Sequence, residues 1–306
     1  MINILAQQLS ALTRQTLTKL PEQKLKLILH VGTPKTGTTS LQTYLDKKQR
    51  KLRAKGVLYP HNLETLPNPD TPKHQWFEKN LVNIHLENFA ANFQNIIAQV
   101  KPETHTIILS SEGIYNYWWD FSESSKDLLS QMTSLFDIQV WVWFREPLAF
   151  IESYYKQCIR NPQVASNPCY GKDLSLAQML DIEWFAQHLD YQRFVDECQN
   201  VFGTGNIRVF DYRGDVVQQV SEFFGLSTPH DNPTPRKNIS LNAATADMIR
   251  VINRTQVKPK DKELLIAHLK QINRVLDNYN NVSLFDEEVR SKVLRLAKPV
   301  DSKLFY

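Results

Sequence analysis

The sequence predicts an α/β fold in which helices cover a central parallel sheet. Three observations carry that expectation. Short β-rich runs alternate with helical patterns, no internal repeat interrupts them, and one apolar run passes through a glycine-flanked loop straight into a helix. In chain order, the apolar stretch 25–31 reads as the first strand. Leu41, Tyr44, Leu45 and Leu52 then give one apolar face to a helix over 38–54. Pro60, Pro67, Pro69 and Pro72, interspersed with Asn and Asp, mark a long surface loop. Over 74–100, Phe77, Leu81, Ile84, Phe89, Phe93, Ile96, Ile97 and Val100 keep helical spacing and predict one scaffold helix. Further strands are expected at 105–110, 139–144 and 206–210, the middle one rich in Val and Trp and therefore buried. Helices follow two of them, over 147–159 and 215–224, and Pro147 suits a first helical position because the missing N–H costs nothing there. Pro229, Pro233 and Pro235 make 227–238 a linker or lid. A stripe of Leu241, Ala244, Met248, Ile249 and Ile252, then a helix over 261–276, follow it.

Composition narrows the function classes. The chain has 306 residues, 42% hydrophobic and 22% charged, a balance that supports a buried core. Decorated α/β domains often exceed the usual domain length, so one domain over 1–306 is expected, with a helical extension at 1–23 and a helical C-terminal part at 240–306. Lys and Arg number 36 against 32 Asp and Glu; a net charge of +4 without a long basic tract argues against nucleic-acid binding and suits a small anionic ligand. No run approaches the ~18 apolar residues of a membrane helix. Residues 1–20 also lack the apolar core and cleavage site of a secretory signal. A cytoplasmic protein with no transmembrane segment is expected. Cys158, Cys169 and Cys198 have neither CxxC spacing nor adjacent histidines and read as ordinary thiols.

Glycine is scarce, nine in all, yet Gly32 and Gly37 flank one short segment after the first apolar run, in LILHVGTPKTGTTSLQTYL. A strand, such a loop and a helix start together make an anion site from backbone N–H groups and the positive end of a helix dipole. The glycine separation is that of a P-loop, and it points to a three-layer P-loop-like fold, but Thr38 stands at the lysine position and Lys35 is the loop's lysine. The run Pro34, Lys35, Thr36, Gly37, Thr38, Thr39 resembles the 5′-phosphosulfate loop, PKTGTT, of the sulfotransferase family that uses 3′-phosphoadenosine 5′-phosphosulfate (PAPS) as donor. Arg145 and Ser153, in VWVWFREPLAFIESYY, match the family's strand-end arginine and the serine eight residues on that bind the donor's 3′-phosphate. Arginine offers a planar fork to phosphate oxygens. Read alone, Arg145 is equally an ion-pair partner for Glu146 or Glu152. Arg236, Lys237 and Asn238 resemble the family's basic RKG segment, with asparagine for glycine, and Phe210 stands where many relatives carry a tyrosine, Tyr212 following.

Sulfuryl transfer to a hydroxyl also needs a group that accepts the acceptor's proton, placed beyond a strand end beside the donor loop. SSEGIYNY resembles the run that starts with the glutamate base of carbohydrate-type sulfotransferases, which aligns Glu112 as the base, with Gly113 and Ile114 departing from the pattern. A helix-capping role for Glu112 is the alternative. His105, at the opposite end of the strand, reads as structural. Tyr115, Tyr117, Trp118 and Trp119 offer faces for a sugar or for the core.

The resemblance thus implies a PAPS-dependent sulfotransferase acting on a hydroxyl-bearing acceptor such as a glycan or glycolipid. Lys35 and Glu112 are its catalytic residues, Thr36, Gly37, Thr38 and Thr39 the phosphate cradle, and Arg145, Ser153, Arg236 and Lys237 the 3′-phosphate site. No metal is expected. The rivals are a P-loop kinase-like phosphoryl transferase and a nucleotide-binding protein without catalysis. Loops at 60–73, 113–125 and 161–173 are expected to choose the acceptor.

Overall fold

The computed structural model describes residues 24–33, 36–61, 72–212, 216–227, 241–255, 257–276 and 283–305. Its strands are β1 (Lys26–His30), β2 (Val57–Leu58), β3 (Thr106–Ser110), β4 (Asp137–Phe144) and β5 (Ile207–Asp211). Its helices longer than one turn are α1 (Thr38–Lys47), α2 (Gln49–Arg53), α3 (Trp76–Val82), α4 (Leu86–Ala98), α5 (Glu123–Met132), α6 (Pro147–Arg160), α7 (Tyr191–Phe202), α8 (Val216–Phe223), α9 (Ala243–Arg254), α10 (Pro259–Leu276) and α11 (Glu287–Leu296). The residues fall into two compact units, one of 1–145, 192–233 and 300–306, the other of 146–191 and 234–299.

The first unit holds a five-stranded, wholly parallel sheet in the order β2-β3-β1-β4-β5. Successive side chains of a strand alternate between its faces. Ile28, Ile108, Trp141 and Trp143 therefore share one face, where they pack with Leu41 and Leu45 of α1, Leu52 of α2 and Val216, Val217 and Val220 of α8. Leu27, Leu29, Ile107, Leu109, Val140 and Val142 point the other way and are equally buried. On that side Phe144 meets Tyr115 and Phe194 of α7. The result is the expected three-layer α/β arrangement, with the strands buried on both faces as parallel sheets require. Because β3 and β4 flank β1, the chain changes direction across the sheet at β1, and the carboxyl end of β1 is the crevice where such sheets bind ligands.

Two expected helices are each broken in two. The helix over 38–54 divides at Lys48, where φ of −99° and ψ of 8° depart from helical values and the N–H is shared between the carbonyls of Tyr44 and Leu45. The helix over 74–100 divides at 83–85. There Ile84 adopts a left-handed φ of 56°, and the His85 N–H returns to the Asn80 carbonyl at 2.9 Å, closing α3 as a Schellman turn. Ile84 is consequently exposed instead of filling the apolar face. Strand β2 and helices α5, α7 and α11 add to the expected elements.

In the second unit, Glu146 caps α6 by accepting from the N–H groups of Leu148 and Ala149, with Pro147 at the first turn as expected. The segment 161–173 is a loop, as expected, and it is pinned by side-chain bonds. Asn167 accepts from the N–H groups of Cys169 and Tyr170, Asn253 of α9 donates to the Lys172 carbonyl, and Asp173 pairs with Arg254 at 2.7 Å. On α9 the buried stripe runs through Ala243, Ala246 and Ile249, while Met248 is exposed. The three cysteines are buried and free. Among the described residues no helix is long and apolar enough to cross a membrane, and no group of His, Cys, Asp and Glu is placed to hold a metal ion.

Candidate active site

The site is built on the carboxyl end of β1. The chain leaves the strand through Val31, whose N–H donates to the Trp141 carbonyl, and Thr33, whose Oγ1 donates to the Trp143 carbonyl at 2.9 Å. The loop is thereby tied to β4. Thr36 folds back, its Oγ1 donating to the Thr33 carbonyl at 2.7 Å. Gly37 takes a left-handed φ of 77°, a conformation glycine adopts without strain, and α1 begins with no side-chain cap. The Ser40 N–H donates to the Gly37 carbonyl at 3.0 Å, which leaves the N–H groups of Thr38 and Thr39 for an anion.

Gly32 is needed for a different reason. A Cβ there would lie 2.8 Å from Thr38 Cγ2, 2.9 Å from His30 Nε2 and 3.2 Å from Thr36 Oγ1. Gly32→Ala is expected to lower stability by roughly 1–3 kcal/mol through overpacking, read as a lower denaturant midpoint with an unchanged slope. An unchanged midpoint would mean that the cradle is loose.

His30, the last residue of β1, is buried; its Nδ1 lies 2.7 Å from Ser110 Oγ, and its Nε2, facing Gly32, has no partner among the described residues. Burial pushes its pKa down to about 3, so the ring is neutral at physiological pH. Behind it His74 accepts from the Ser110 N–H through Nδ1 and reaches the Pro60 carbonyl through Nε2, which fixes its tautomer. Burial holds His74 near 4.

Beyond the end of β3, Glu112 reaches across to the loop. Its Oε2 accepts a hydrogen bond from Thr38 Oγ1, and its Oε1 lies 3.4 Å from Lys73 Nζ. Glu112 stands at the cap position of the single turn Gly113–Asn116, but its side chain makes no capping bond. The capping alternative is therefore excluded. The structure brings together two residues that lie 74 positions apart in sequence, one from the loop motif and one from the glutamate run.

Arg145 follows the last residue of β4 and is half-buried at the same edge of the sheet. Next to it Glu146 accepts from the start of α6, and Glu152 pairs with Lys156 at 2.6 Å. Ser153 lies in the second turn of α6, half-buried. Pro34, Lys35, Arg236 and Lys237 lie outside the described residues. So does most of the proline-rich stretch 60–72 and of the linker 227–238, together with the extension at 1–23.

No family model matches this chain, and no curated protein matches it. A solved structure from a study of the PezAT chromosomal toxin-antitoxin system of the human pathogen Streptococcus pneumoniae is similar at 11% identity and a TM-score of 0.29, over 95% of this chain and 96% of that one. At that score the likeness carries no argument about this protein.

At the site one loop expectation shifts, while core packing of two of the four aromatics after Glu112 and a structural role for His105 are as expected. The segment 113–125 is helical turns instead of an open loop, and Tyr115 and Trp118 belong to the core, Trp118 donating to Glu197 at 3.0 Å. Tyr117 and Trp119 are half-buried, the Trp119 ring lying under the Arg193 guanidinium at 4.8 Å. Phe210 is stacked on Trp143 with centroids 4.3 Å apart, which commits it to the core. His105 is structural, holding the Lys55 carbonyl and Thr106 Oγ1. Sequence reasoning missed His30, Lys73 and Glu78. A histidine ending an apolar strand before a glycine was a usable signal for the first; the other two become visible only through their partners.

Proposed function

We propose that this protein is a PAPS-dependent sulfotransferase that moves a sulfuryl group to a hydroxyl of a carbohydrate or another polyhydroxylated acceptor. The observation that supports it is the bond between Thr38, inside the loop motif, and Glu112, the residue aligned with the glycan-type base. A proton acceptor beside a phosphosulfate cradle is what sulfuryl transfer needs. The residues fit the donor: the uncapped start of α1 offers the N–H groups of Thr38 and Thr39, and the close-packed Gly32 lets the loop turn tightly beside them.

The donor supplies an activated sulfuryl group on a phosphate leaving group. In this reading Thr36 to Thr39 hold the 5′-phosphate, and Arg145, Ser153, Arg236 and Lys237 recognise the 3′-phosphate. Glu112 takes the acceptor's hydroxyl proton as the new S–O bond forms. The S–O bond to the 5′-phosphate breaks, and Lys35 offsets the charge that gathers on the bridging oxygen, releasing adenosine 3′,5′-bisphosphate. Lys73 keeps the Glu112 carboxylate oriented before transfer.

The test is calorimetry with nucleotides. Adenosine 3′,5′-bisphosphate should bind far more tightly than AMP, and Arg145→Ala should cost roughly 2–4 kcal/mol of that affinity. Equal affinity for the two nucleotides would overturn the assignment of Arg145. One observation favours a second reading, because a strand-end carboxylate beside a loop hydroxyl is also how P-loop phosphoryl transferases hold magnesium. A strict magnesium requirement for turnover, abolished by chelator, would select that reading.

A further inference from the structure

We infer that Glu78 is a positioning residue for Glu112: from α3 its carboxyl fixes Ser111 and Gly113 on either side of Glu112 and so aims that side chain at Thr38. The inference rests on reading Glu112 as the base.

The geometry is specific. Glu78 is 2% exposed, and its Oε2 accepts from Ser111 Oγ at 2.6 Å. The same Ser111 oxygen accepts from the Gly113 N–H at 3.2 Å, and the Ser111 N–H donates to the His30 carbonyl at 3.0 Å. Ser111 is thereby locked to β1 and to α3 together. At Gly113 the fit is closer still, since a Cβ would fall inside the Glu78 carboxyl. This gives a physical reason for the glycine at 113: with Glu78 in place, a Cβ there has no room. Glu112 is the one residue between these two anchors, and its carboxylate is held in turn by Thr38 and Lys73.

A buried carboxyl does this without adding charge only while it keeps its proton. Burial raises Glu78 from 4.5 to about 8, the Ser111 bond and Lys79 oppose that rise, and the Glu112 charge adds to it. Lys79 is on its own helix, Lys73 faces Glu112, and α4, which packs on α3, contributes only the exposed His85 and Glu87 at its start. At neutral pH Glu78 is therefore an uncharged hydrogen-bonding anchor. As pH rises through 8 it ionises, and a second negative charge appears beneath Glu112 with no described cation in contact to neutralise it. The anchor then repels the residue it positions.

The experiment uses the full chain and two readouts. Infrared titration should show a protonated-carboxyl band at neutral pH that disappears around pH 8, is missing in Glu78→Gln, and disappears at lower pH in Glu112→Gln because one source of the upward shift is gone. Sulfuryl transfer at saturating donor should fall above that pH in the wild type, and Glu78→Gln, which cannot ionise, should lose this alkaline fall. Glu78→Asp, which keeps the acid but shortens its reach, should lower turnover roughly tenfold to a hundredfold with the affinity for adenosine 3′,5′-bisphosphate unchanged. Absence of the band, a band indifferent to Glu112→Gln, or an identical alkaline limb in wild type and Glu78→Gln would overturn the inference. An intact, coupled band in a protein that transfers no sulfate would instead overturn the proposed function and leave the carboxyl coupling standing.

Discussion

Replacing Glu112 by glutamine is expected to cut turnover roughly a hundredfold to ten-thousandfold while donor binding stays close to wild type. The substitution keeps the shape and still offers an oxygen to Thr38 Oγ1, but it removes the only carboxylate that reaches the loop from the end of β3 among the described residues. An amide cannot take up the acceptor's proton, so the loss falls on the chemical step. Steady-state kinetics on wild type and variant, paired with calorimetry using adenosine 3′,5′-bisphosphate, separates the two effects. Undiminished turnover in Glu112→Gln would remove it from the mechanism, and a collapse of nucleotide affinity would make it a structural support of the cradle.

Lys35→Ala should cost about a hundredfold or more in rate at saturating donor, by comparison with the removal of one electrostatic stabiliser elsewhere. The reason is the timing of charge. The bridging oxygen carries more negative charge as the S–O bond breaks than in the bound donor, so an ammonium beside it contributes more to the transition state than to binding. The expected signature is a turnover loss larger than the loss of donor affinity. The reverse pattern, weak binding with retained turnover at saturation, would make Lys35 an anchor only.

The parts of the fold legible in the sequence are those governed by local chemistry. Apolar runs bounded by Gly, Pro or charge give β1, β3, β4 and β5 to within two residues, and Pro147 marks the start of α6. The breaks at Lys48 and Ile84 were not legible, because the apolar spacing continues through both and a β-branched residue in a left-handed conformation contradicts its own propensity. The aromatic run after Glu112 misled in the opposite direction: without periodicity it reads as a loop, whereas Tyr115 and Trp118 fold it inward as short turns. At the site, the loop motif and Glu112 are each visible locally, but their bond across the sheet is a product of the β1–β3 pairing, in which His30 stands opposite Ser110. Lys73 and Glu78 carry no local signature. Their meaning comes from the carboxylate and the glycine they touch.

The most direct measurement of the central claim is transfer of radiolabelled sulfate from PAPS to a panel of glycans, glycolipids and simple phenols. Each is assayed with wild type, Lys35→Ala and Glu112→Gln, with and without chelator. The account predicts label on a polyhydroxylated acceptor with wild type, equimolar release of adenosine 3′,5′-bisphosphate, insensitivity to chelator, and loss of transfer in both variants. Label on phenols alone would contradict the acceptor class. No label on any acceptor, alongside magnesium-dependent transfer of phosphate from ATP, would contradict the sulfotransferase reading itself.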